Sequence, residues 1–525
     1  MAWQAGTVKA GGHDRPGRQR LFHNVTRVTG LALAVAALLG GIVPVCAADT
    51  NIAELEQRIA RLTRELETAR RDLDEARAQQ HESISAASPQ RSALPDASTA
   101  PQGDASDIVV TQEGVPLVEG DPVAGVVAVP DDDEEKSDFR IGPVTIGGAI
   151  RVNYVLGSYT NGDDGPNRGG NGGNVELDTF RINLDLDYND IIGKLEYRWY
   201  PADAGKSYNF LHTGWLGYRF DDTTHLEVGV NRVPFGPGPY GVSQSWFFDQ
   251  HYYVGLADDM DLGIKYVTTY GDWNVDLAYY ASSEGSFNGR SEDSARYSYD
   301  AVKWTSGTDA AGNIISAPVN GYSESNQFNA RGIYSLTDTS LPTDIGLSLQ
   351  YGQLEGRRTS DGSHWAASAH MVNRFDNFTL ASQLTRYEID IDDDNPWGTD
   401  ALIPMGAYDF AWPAATKAWI PALSLSYKHD TPTIGWLDYV LPYVEYSSII
   451  KDDGDFNDSQ MVTLGAAWAS GNWYIYSDLV YSNGNFFVGD DGDDYSNIFD
   501  GVGDFGVTGN DKWNYRFNIN LGYYF

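Results

Sequence analysis

Apolar and polar residues alternate along the C-terminal end of the chain. From Trp513 to Phe525, aromatic and aliphatic side chains occupy every second position, and Asn, Arg and Gly fill the positions between them. A period of two predicts a β-strand with one apolar and one polar face. The strand is long enough to cross a bilayer when it is tilted, and the aromatic residues at its two ends suit the two membrane interfaces. We therefore expect a membrane-spanning strand rather than the last strand of a soluble barrel.

The same alternation recurs from about residue 139 onward, interrupted by polar turns. In residues 180–188, for example, Phe180, Ile182 and Leu184 share one face, whereas Arg181 and Asn183 share the other. Charged residues on the inner faces indicate a wet interior, because a dry core would not tolerate them unpaired. The fold class that we predict is an all-β transmembrane barrel of about 16 antiparallel strands, or 18, over residues 139–525.

Three segments precede the predicted barrel. Basic residues, a short apolar run and small residues predict a secretory signal peptide over residues 1–48. Residues 49–79 carry apolar positions at alternating three and four spacings, which predict a short α-helical coiled coil. A lone solvated helix, or one that packs on the barrel, is the alternative. Residues 80–138 are rich in Ser, Ala, Pro, Gly and Asp, and this composition is typical of a disordered linker.

Composition narrows the classes of function. The formal net charge of −37 argues against a nucleic-acid partner. Cys46 is the only cysteine and lies in the predicted signal peptide, so no disulfide or cysteine metal site is expected in the mature protein. The acidic runs around residues 452–455 and 490–494 lack the full spacing of a calcium loop, and we interpret them as solvated loops. We predict no cofactor and no metal site. Catalytic motifs are also missing from the sequence, so we predict no enzymatic activity.

A stretch of about forty residues carries the most specific pattern. A strand runs into Pro234-Phe235-Gly236, an aromatic segment with Ser245-Trp246-Phe247-Phe248 follows, and a further strand opens with Asp261-Leu262-Gly263. This stretch resembles the phosphate-selective porin O/P family. The resemblance implies a homotrimeric bacterial outer-membrane channel in contact with lipid, with the predicted coiled coil in the periplasm.

The resemblance also implies that a loop after an early hairpin folds inward and narrows the pore. In this chain the loop would cover about residues 234–261, and an external loop that packs on its own neighbours is the alternative. The predicted constriction residues are Arg232, Asp249, His251, Asp258 and Asp259. A basic wall would face them, formed by Arg181, Lys194 and Arg198 on the polar side of early strands. The alternative is that the basic residues pair with nearby carboxylates and only order the lumen.

Family members named for phosphate line their pores with Arg and Lys, which replace the hydration of an oxyanion. Here the segment between Pro234 and Met260 has no Lys or Arg, and acidic residues outnumber Lys and Arg in the predicted barrel. We therefore expect passive diffusion of small hydrophilic solutes or ions, with weak cation preference or none; anion or phosphate preference is the alternative. A non-conducting barrel that anchors the envelope through its coiled coil is the rival class of function.

Overall fold

The structure is a computed structural model. It describes residues 139–159, 168–169, 172–201, 207–285, 296–303, 321–337, 339–395, 398–408, 410–485, 487–489 and 511–525. The predicted signal peptide (1–48), coiled-coil helix (49–79) and linker (80–138) lie outside the described residues and stay predictions. Within the described ranges, no helix has both the length and the apolar character needed to cross a membrane.

Antiparallel strands make up most of the described chain. In chain order the strands are β1 (Arg140–Ile141), β2 (Val144–Gly157), β3 (Asn174–Tyr188), β4 (Ile191–Pro201), β5 (Ser207–Asp221), β6 (Thr224–Arg232), β7 (Met260–Tyr270), β8 (Trp273–Ser283), β9 (Asp300–Ala301), β10 (Gly321–Leu336), β11 (Thr343–Arg357), β12 (Gly362–Phe375), β13 (Phe378–Asp390), β14 (Leu402–Ala407), β15 (Phe410–Ala415), β16 (Lys417–Tyr427), β17 (His429–Asp430), β18 (Tyr439–Lys451), β19 (Ser459–Ser470), β20 (Trp473–Asn483) and β21 (Trp513–Tyr524).

Sixteen of these strands form one closed barrel. Each long strand pairs with its neighbour along the chain, and β21 returns to pair with β2, with Ile519 opposite Tyr154. The two-residue strands β1 and β17 only extend pairings at the barrel rim, beside β2 and β18. The prediction of about 16 strands is therefore confirmed. A closed barrel pairs every wall strand on both sides, which is what a membrane-spanning sheet requires.

The two faces of the wall differ in polarity. In β11, Leu347, Leu349 and Tyr351 point outward and are exposed, whereas Ser348 and Gln350 between them are buried inside. The final strand β21 follows the same rule, with its Asn residues inside and Trp513, Tyr515 and Leu521 outside. Large exposed aromatic side chains also gather where strands end, among them Tyr188, Tyr270, Trp273, Phe375, Phe378, Trp436, Trp473 and Phe525. An apolar outer belt with aromatic rims is the surface that a bilayer covers.

Two β-bulges change the inner face of the early strands. In the β2–β3 pair, Arg151 is opposite Thr179 and Val152 is opposite Leu177, which leaves Asp178 as an extra residue. In the β4–β5 pair the register shifts after Glu196, and His212 becomes the extra residue. A bulge redirects a side chain relative to a regular strand. Both extra residues lie beside charged side chains of the lumen, Asp178 beside Arg151 and His212 beside Asp258.

A second, smaller sheet packs against the inner wall. Strand β14 pairs with β15 and, at Met405, with Ala301 of β9; we call these three strands the inner sheet. Its side chains join an apolar core with residues of the barrel wall, including Tyr387 and Ile420. Trp412 of β15 is fully buried there. The lumen is thus partly filled by side chains on the side of β10 to β16.

Candidate functional site

Residues 233–259 connect β6 to β7 and fold into the lumen; we call them the inward loop. The backbone N–H of Gly236 donates to Ser348 Oγ of β11 over 3.0 Å. Further along, the backbone N–H of Trp246 donates to Asp478 Oδ2 of β20 over 3.2 Å. Nearly all residues of the loop are buried. The loop therefore crosses the barrel from one wall to the other, as the sequence resemblance implied.

Gly and aromatic residues allow this chain path. Gly236, Gly241 and Gly255 have positive φ angles, which only glycine adopts without strain. Aromatic side chains of the loop fill the interior, and Phe247, Tyr252 and Tyr253 are buried in the apolar core shared with the inner sheet.

Asp249 and His251 lie inside the packing of the inward loop. The Asp249 carboxylate accepts hydrogen bonds from the backbone N–H of Val242 and of His251, at 2.9 and 2.8 Å. The His251 ring lies 2.8 Å from Asp249 through Nδ1 and 2.8 Å from Thr385 Oγ1 through Nε2. Both side chains are buried. The structure therefore gives them positions that brace the loop, and their predicted part in selectivity stays a prediction.

Arg232 and Asp258 form an ion pair where the inward loop meets the wall. Arg232 Nε lies 3.0 Å from Asp258 Oδ1, and the Tyr297 hydroxyl donates to Asp258 Oδ2 over 2.5 Å. His212 Nε2 is 3.8 Å from the same carboxylate. Burial raises the pKa of Asp258, but the Arg232 guanidinium and the nearby His212 ring outweigh burial and hold that pKa well below its usual range. Asp258 is thus a buried anion whose charge Arg232 offsets.

Asp259 is separated from this pair, although it is the next residue. Its side chain is buried beside Asp261 and Asp300. Burial, and then the charge of Asp261, raise the pKa of Asp259 well above its usual range. The two adjacent acids of the loop therefore stand in opposite electrostatic environments.

The predicted basic wall is brought together only in part. Arg181 Nη1 and Arg198 Nε both reach Glu196 Oε1, at 3.3 and 2.5 Å. Lys194 instead lies 3.8 Å from Asp185, and this pair is more exposed than the arginine pairs. The alternative interpretation, in which carboxylates pair with these basic residues, describes the contacts that the structure shows.

Two further arginines in the lumen were not among the predicted site residues. Arg151 Nε lies 2.9 Å from Asp178 Oδ2, and Asp178 is available there because of the β2–β3 bulge. Arg516 of β21 lies under the inward loop, with its guanidinium 5.2 Å from the Trp246 ring centroid and 5.0 Å from that of Phe247. The alternating pattern signals that both arginines face inward, but no spacing in the sequence signals their partners.

Aromatic rings stand beside the arginines on the side of β2 to β6. Arg232 lies over the Tyr240 ring at 5.8 Å, and Arg181 lies over the Tyr524 ring at 5.2 Å. Tyr240 itself stacks on Phe248 of the inward loop, with 5.1 Å between the ring centroids. Cation–π contacts keep guanidinium groups in place without neutralising their charge. Arginines and tyrosines thus line the part of the lumen between the loop edge and the early strands.

The sequence matches no protein-family model and no curated relative. Among solved structures, the chain is similar to the outer-membrane-expressed OmpT of Vibrio cholerae, with 13% identity over 74% of this chain and 100% of that chain and a TM-score of 0.42. It is also similar to the outer membrane channel DcaP of Acinetobacter baumannii, with 9% identity, coverage of 73% and 97%, and a TM-score of 0.43. Salmonella typhi OmpF, in a complex with Daunomycin, matches with 11% identity, coverage of 73% and 97%, and a TM-score of 0.45. Similarities of this size assign no family.

The architecture itself gives the location. A closed antiparallel barrel with an even number of strands, an apolar belt, aromatic rims and a polar interior is the form of barrel found in bacterial outer membranes. The protein is therefore a transmembrane barrel of the bacterial outer membrane.

Proposed function

We propose that the protein is a porin, through which small hydrophilic solutes diffuse passively down their own gradients. The observation that carries this proposal is the polar, charged inner face of β2 to β7. The Lys194–Asp185 pair remains partly exposed on this inner face, and the Arg219–Asp187 pair is exposed near the rim of the same strands. Partly exposed charges need water around them, since dry burial would cost several kcal/mol for each. A wet path along this wall supports a channel rather than an enzyme.

We propose further that the narrow part of the channel favours anions. In three of the ion pairs beside the inward loop, the guanidinium is more exposed than its carboxylate partner. The exposed fractions are 15% for Arg151 against 9% for Asp178, 14% for Arg181 against 8% for Glu196, and 20% for Arg232 against 1% for Asp258. A passing solute therefore meets the positive member of each pair first. Such groups replace part of the hydration shell of a carboxylate, phosphate or halide ion.

This proposal reverses the ion preference expected from composition. Counting charges treats buried and exposed side chains alike, whereas a solute responds to those that it meets. Asp249 is enclosed by the loop, Asp258 is paired with Arg232, and Asp259 is buried away from the arginines. The acidic residues of the loop thus contribute less to the passage than their number in the sequence suggested.

A homotrimer in the outer-membrane lipid is part of the proposal. Support comes from the sequence resemblance and from the heptad pattern over residues 49–79, which would associate the chains on the periplasmic side. The mass of the detergent-solubilised protein, measured by light scattering, tests it. A trimer that falls apart when residues 49–79 are deleted assigns assembly to the coiled coil, whereas a monomeric full chain contradicts the proposal.

A non-conducting barrel is the second candidate function, and one observation favours it. The inner sheet and the inward loop share an apolar core in which Trp412, Tyr299 and Phe247 are almost fully buried. This packing leaves less free lumen than an empty barrel of the same strand number would have. A barrel closed in this way would serve as an envelope anchor.

Reversal potentials in a planar bilayer test the proposed function. The purified protein in a KCl gradient should give fixed conductance steps with anion preference, and added phosphate should reduce the chloride current. Replacing Arg151→Gln and Arg181→Gln together should move the reversal potential toward cations. The matched control is Arg374→Gln. It removes an arginine near the C-terminal end of β12 that pairs with Asp344 of β11. Silence would favour the anchor, and cation preference in the unaltered protein would contradict the proposed selectivity.

A further inference from the structure

Five carboxyl groups gather where the inward loop rejoins the barrel wall; we call them the carboxylate cluster. Asp259 ends the loop, Asp261 begins β7, and Glu284 follows β8. Asp300 lies on β9 of the inner sheet, and Glu324 lies on β10. Oxygen atoms of Asp259, Asp261 and Asp300 all lie within 4.8 Å of one another. The cluster therefore joins three consecutive wall strands (β7, β8 and β10), the loop and the inner sheet at one point.

Several carboxylate oxygens in the cluster have no hydrogen-bond partner among the residues that the structure describes. Oδ1 of Asp259, of Asp261 and of Asp300 and Oε2 of Glu284 are fully buried and receive no donor from those residues. The four side chains are between 1% and 6% exposed. Buried polar atoms almost always have a partner in native proteins, because an unmatched charged group costs several kcal/mol. Four unmatched oxygens in one place indicate that something supplies positive charge to them.

The remaining oxygens show that the cluster is held in place by the fold. Gln327 Nε2 donates to Asp261 Oδ2 over 2.9 Å, and the backbone N–H of Ser298 donates to Glu284 Oε1 over 2.9 Å. Arg296 Nη1 lies 2.8 Å from Asp300 Oδ2. Each of these carboxyl groups thus uses one oxygen for a protein contact and leaves the other without one. Arg296 supplies one positive charge to a cluster of five acids.

We propose that the carboxylate cluster binds one calcium ion, with Asp259, Asp261 and Asp300 as its ligands and Glu284 next to them. Every candidate ligand atom is a carboxylate oxygen, and such a set suits a hard cation. Two ligands that each lie about 2.3–2.6 Å from one calcium ion can be separated by nearly 5 Å, which the 4.8 Å limit fits. Magnesium prefers ligands at about 2.0–2.1 Å and keeps several waters, so it suits this site less well. The site has no local signature in the sequence, because its four residues are spread from 259 to 300.

A bound ion would link parts of the chain that are distant in sequence. Asp259 fixes the end of the inward loop, and Asp300 fixes β9, which pairs through Ala301 with Met405 of β14. The ion would therefore hold the inner sheet against the loop. Removing it would leave like charges buried together, and these repel strongly at low dielectric.

Calorimetric titration and thermal unfolding of the full mature chain test the site. The protein is refolded into detergent without lipopolysaccharide, treated with EGTA and titrated with CaCl2 or MgCl2. We expect one calcium ion per chain with a Kd below about 1 mM, the range of calcium sites in extracellular modules, and at least tenfold weaker magnesium binding. Calcium at about 100 times its Kd should then raise the unfolding temperature, because it binds only the folded state.

Variants separate a specific site from general effects of calcium. Asp259→Asn combined with Asp300→Asn should weaken calcium binding at least tenfold, and in EGTA this variant should unfold at a higher temperature than the unaltered protein, since repulsion is relieved. Asp453→Asn, the same change in an exposed acidic loop, should bind calcium as the unaltered protein does. Absence of binding at 1 mM calcium, or an equal calcium effect in the double variant, would overturn the proposal. If the barrel binds calcium but does not conduct, the calcium site stands and the proposed channel function fails. If it conducts but does not bind calcium, only the calcium site is refuted.

Discussion

Glu445 of β18 accepts a hydrogen bond from the backbone N–H of Gln244, over 2.5 Å, and thereby ties the inward loop to the wall opposite its attachment. The second oxygen of Glu445 accepts from Ser243 Oγ over 2.6 Å. In strand order, β18 lies half-way round the barrel from β6 and β7. One side chain thus holds the middle of a loop whose two ends belong to the other side of the lumen.

Replacing Glu445→Ala should release the middle of the inward loop. Hydrogen bonds to a charged group contribute about 1.5–3 kcal/mol each, so the loop would sample other positions while the barrel stays closed. Single-channel recordings should show flickering between conductance levels in place of steady steps. Ser424→Ala is the matched control. Ser424 also donates to Glu445 Oε1, but it belongs to the barrel wall rather than to the inward loop. Steady steps of unchanged size in Glu445→Ala would show that the tether does not set the width of the channel.

The Asp258–Arg232 pair predicts a change of selectivity in the direction of anions. Asp258→Asn removes the charge that offsets Arg232, and the guanidinium then faces the lumen uncompensated. Breaking a buried ion pair from one side costs about 3–5 kcal/mol, so the unfolding temperature should fall as well. The measurement is the reversal potential in a KCl gradient. Asp187→Asn, which breaks the exposed pair with Arg219 near the opposite rim, is the control and should change neither property appreciably.

Neutralising Asp249, Asp258 and Asp259 together would be the direct test of the constriction that the sequence predicts. The structure shows why the single change at Asp258 is the sharper experiment. Asp249 braces the loop through two backbone N–H groups, and Asp259 belongs to the carboxylate cluster. A triple variant would therefore alter loop packing, charge and the proposed calcium site at once. An unchanged reversal potential in Asp258→Asn would contradict the idea that Arg232 lines the passage.

Periodicity was sufficient to predict the barrel, its strand number and the polarity of its two faces. Each of these follows from local alternation, which residues such as Leu347 and Ser348 display directly. The inward path of the loop was also predictable, because its Gly and aromatic residues need a buried surface. What the pattern could not show was pairing across the lumen. Arg151 contacts Asp178 only because of a bulge in β3. Asp259 lies beside Asp300 only because the inward loop and β9 converge.

The inner sheet shows the same limit from another side. The sequence predicts a long connection between wall strands over residues 391–415, whereas β14 and β15 form a hairpin there and β14 also pairs with β9. Pro404 and Pro413 face each other in this hairpin, and proline weakens any expectation of a strand from sequence alone. The core around Trp412 stabilises the hairpin in spite of its prolines, and such tertiary packing has no local signature.

Gly241 predicts a position at which a single methyl group disturbs the loop. Its φ angle is +64°, and an added Cβ would collide with the Asp249 carboxylate. Gly241→Ala should therefore cost more than the roughly 1 kcal/mol of left-handed backbone strain, because the bracing of Val242 and His251 is lost too. Gly271→Ala is a matched control, since Gly271 has a φ of +59° and open space around its Cβ position. Equal unfolding temperatures for the two variants would show that the Asp249 brace is not needed.

The pair between Arg386 and Asp452 predicts a small, pH-dependent contribution to stability at the end of β13. Arg386 Nη1 and Nη2 reach the two Asp452 oxygens at 2.7 and 2.6 Å. The hydrogen bond from Arg386 holds the pKa of Asp452 below its usual value near 3.8. A carboxyl group whose pKa is lower in the folded state stabilises the fold above its unfolded pKa, and this contribution disappears as pH falls through the folded pKa. The pair should therefore persist at pH 5, above the unfolded pKa, and be lost only as pH falls through the lowered folded pKa.

Calorimetric unfolding of Asp452→Asn against the unaltered protein measures this contribution. At pH 7 we expect a loss below about 1 kcal/mol, because both side chains lie near the surface, where solvent screens the charges. Below the folded pKa of Asp452 the two proteins should unfold alike, since Asp452 is then protonated in both states of the unaltered chain. Asp453→Asn supplies the comparison, because Asp453 accepts a hydrogen bond from the backbone N–H of Asp455 rather than from a guanidinium. A difference between Asp452→Asn and the unaltered protein that stays the same from pH 7 to pH 2 would mean that the carboxylate charge contributes nothing.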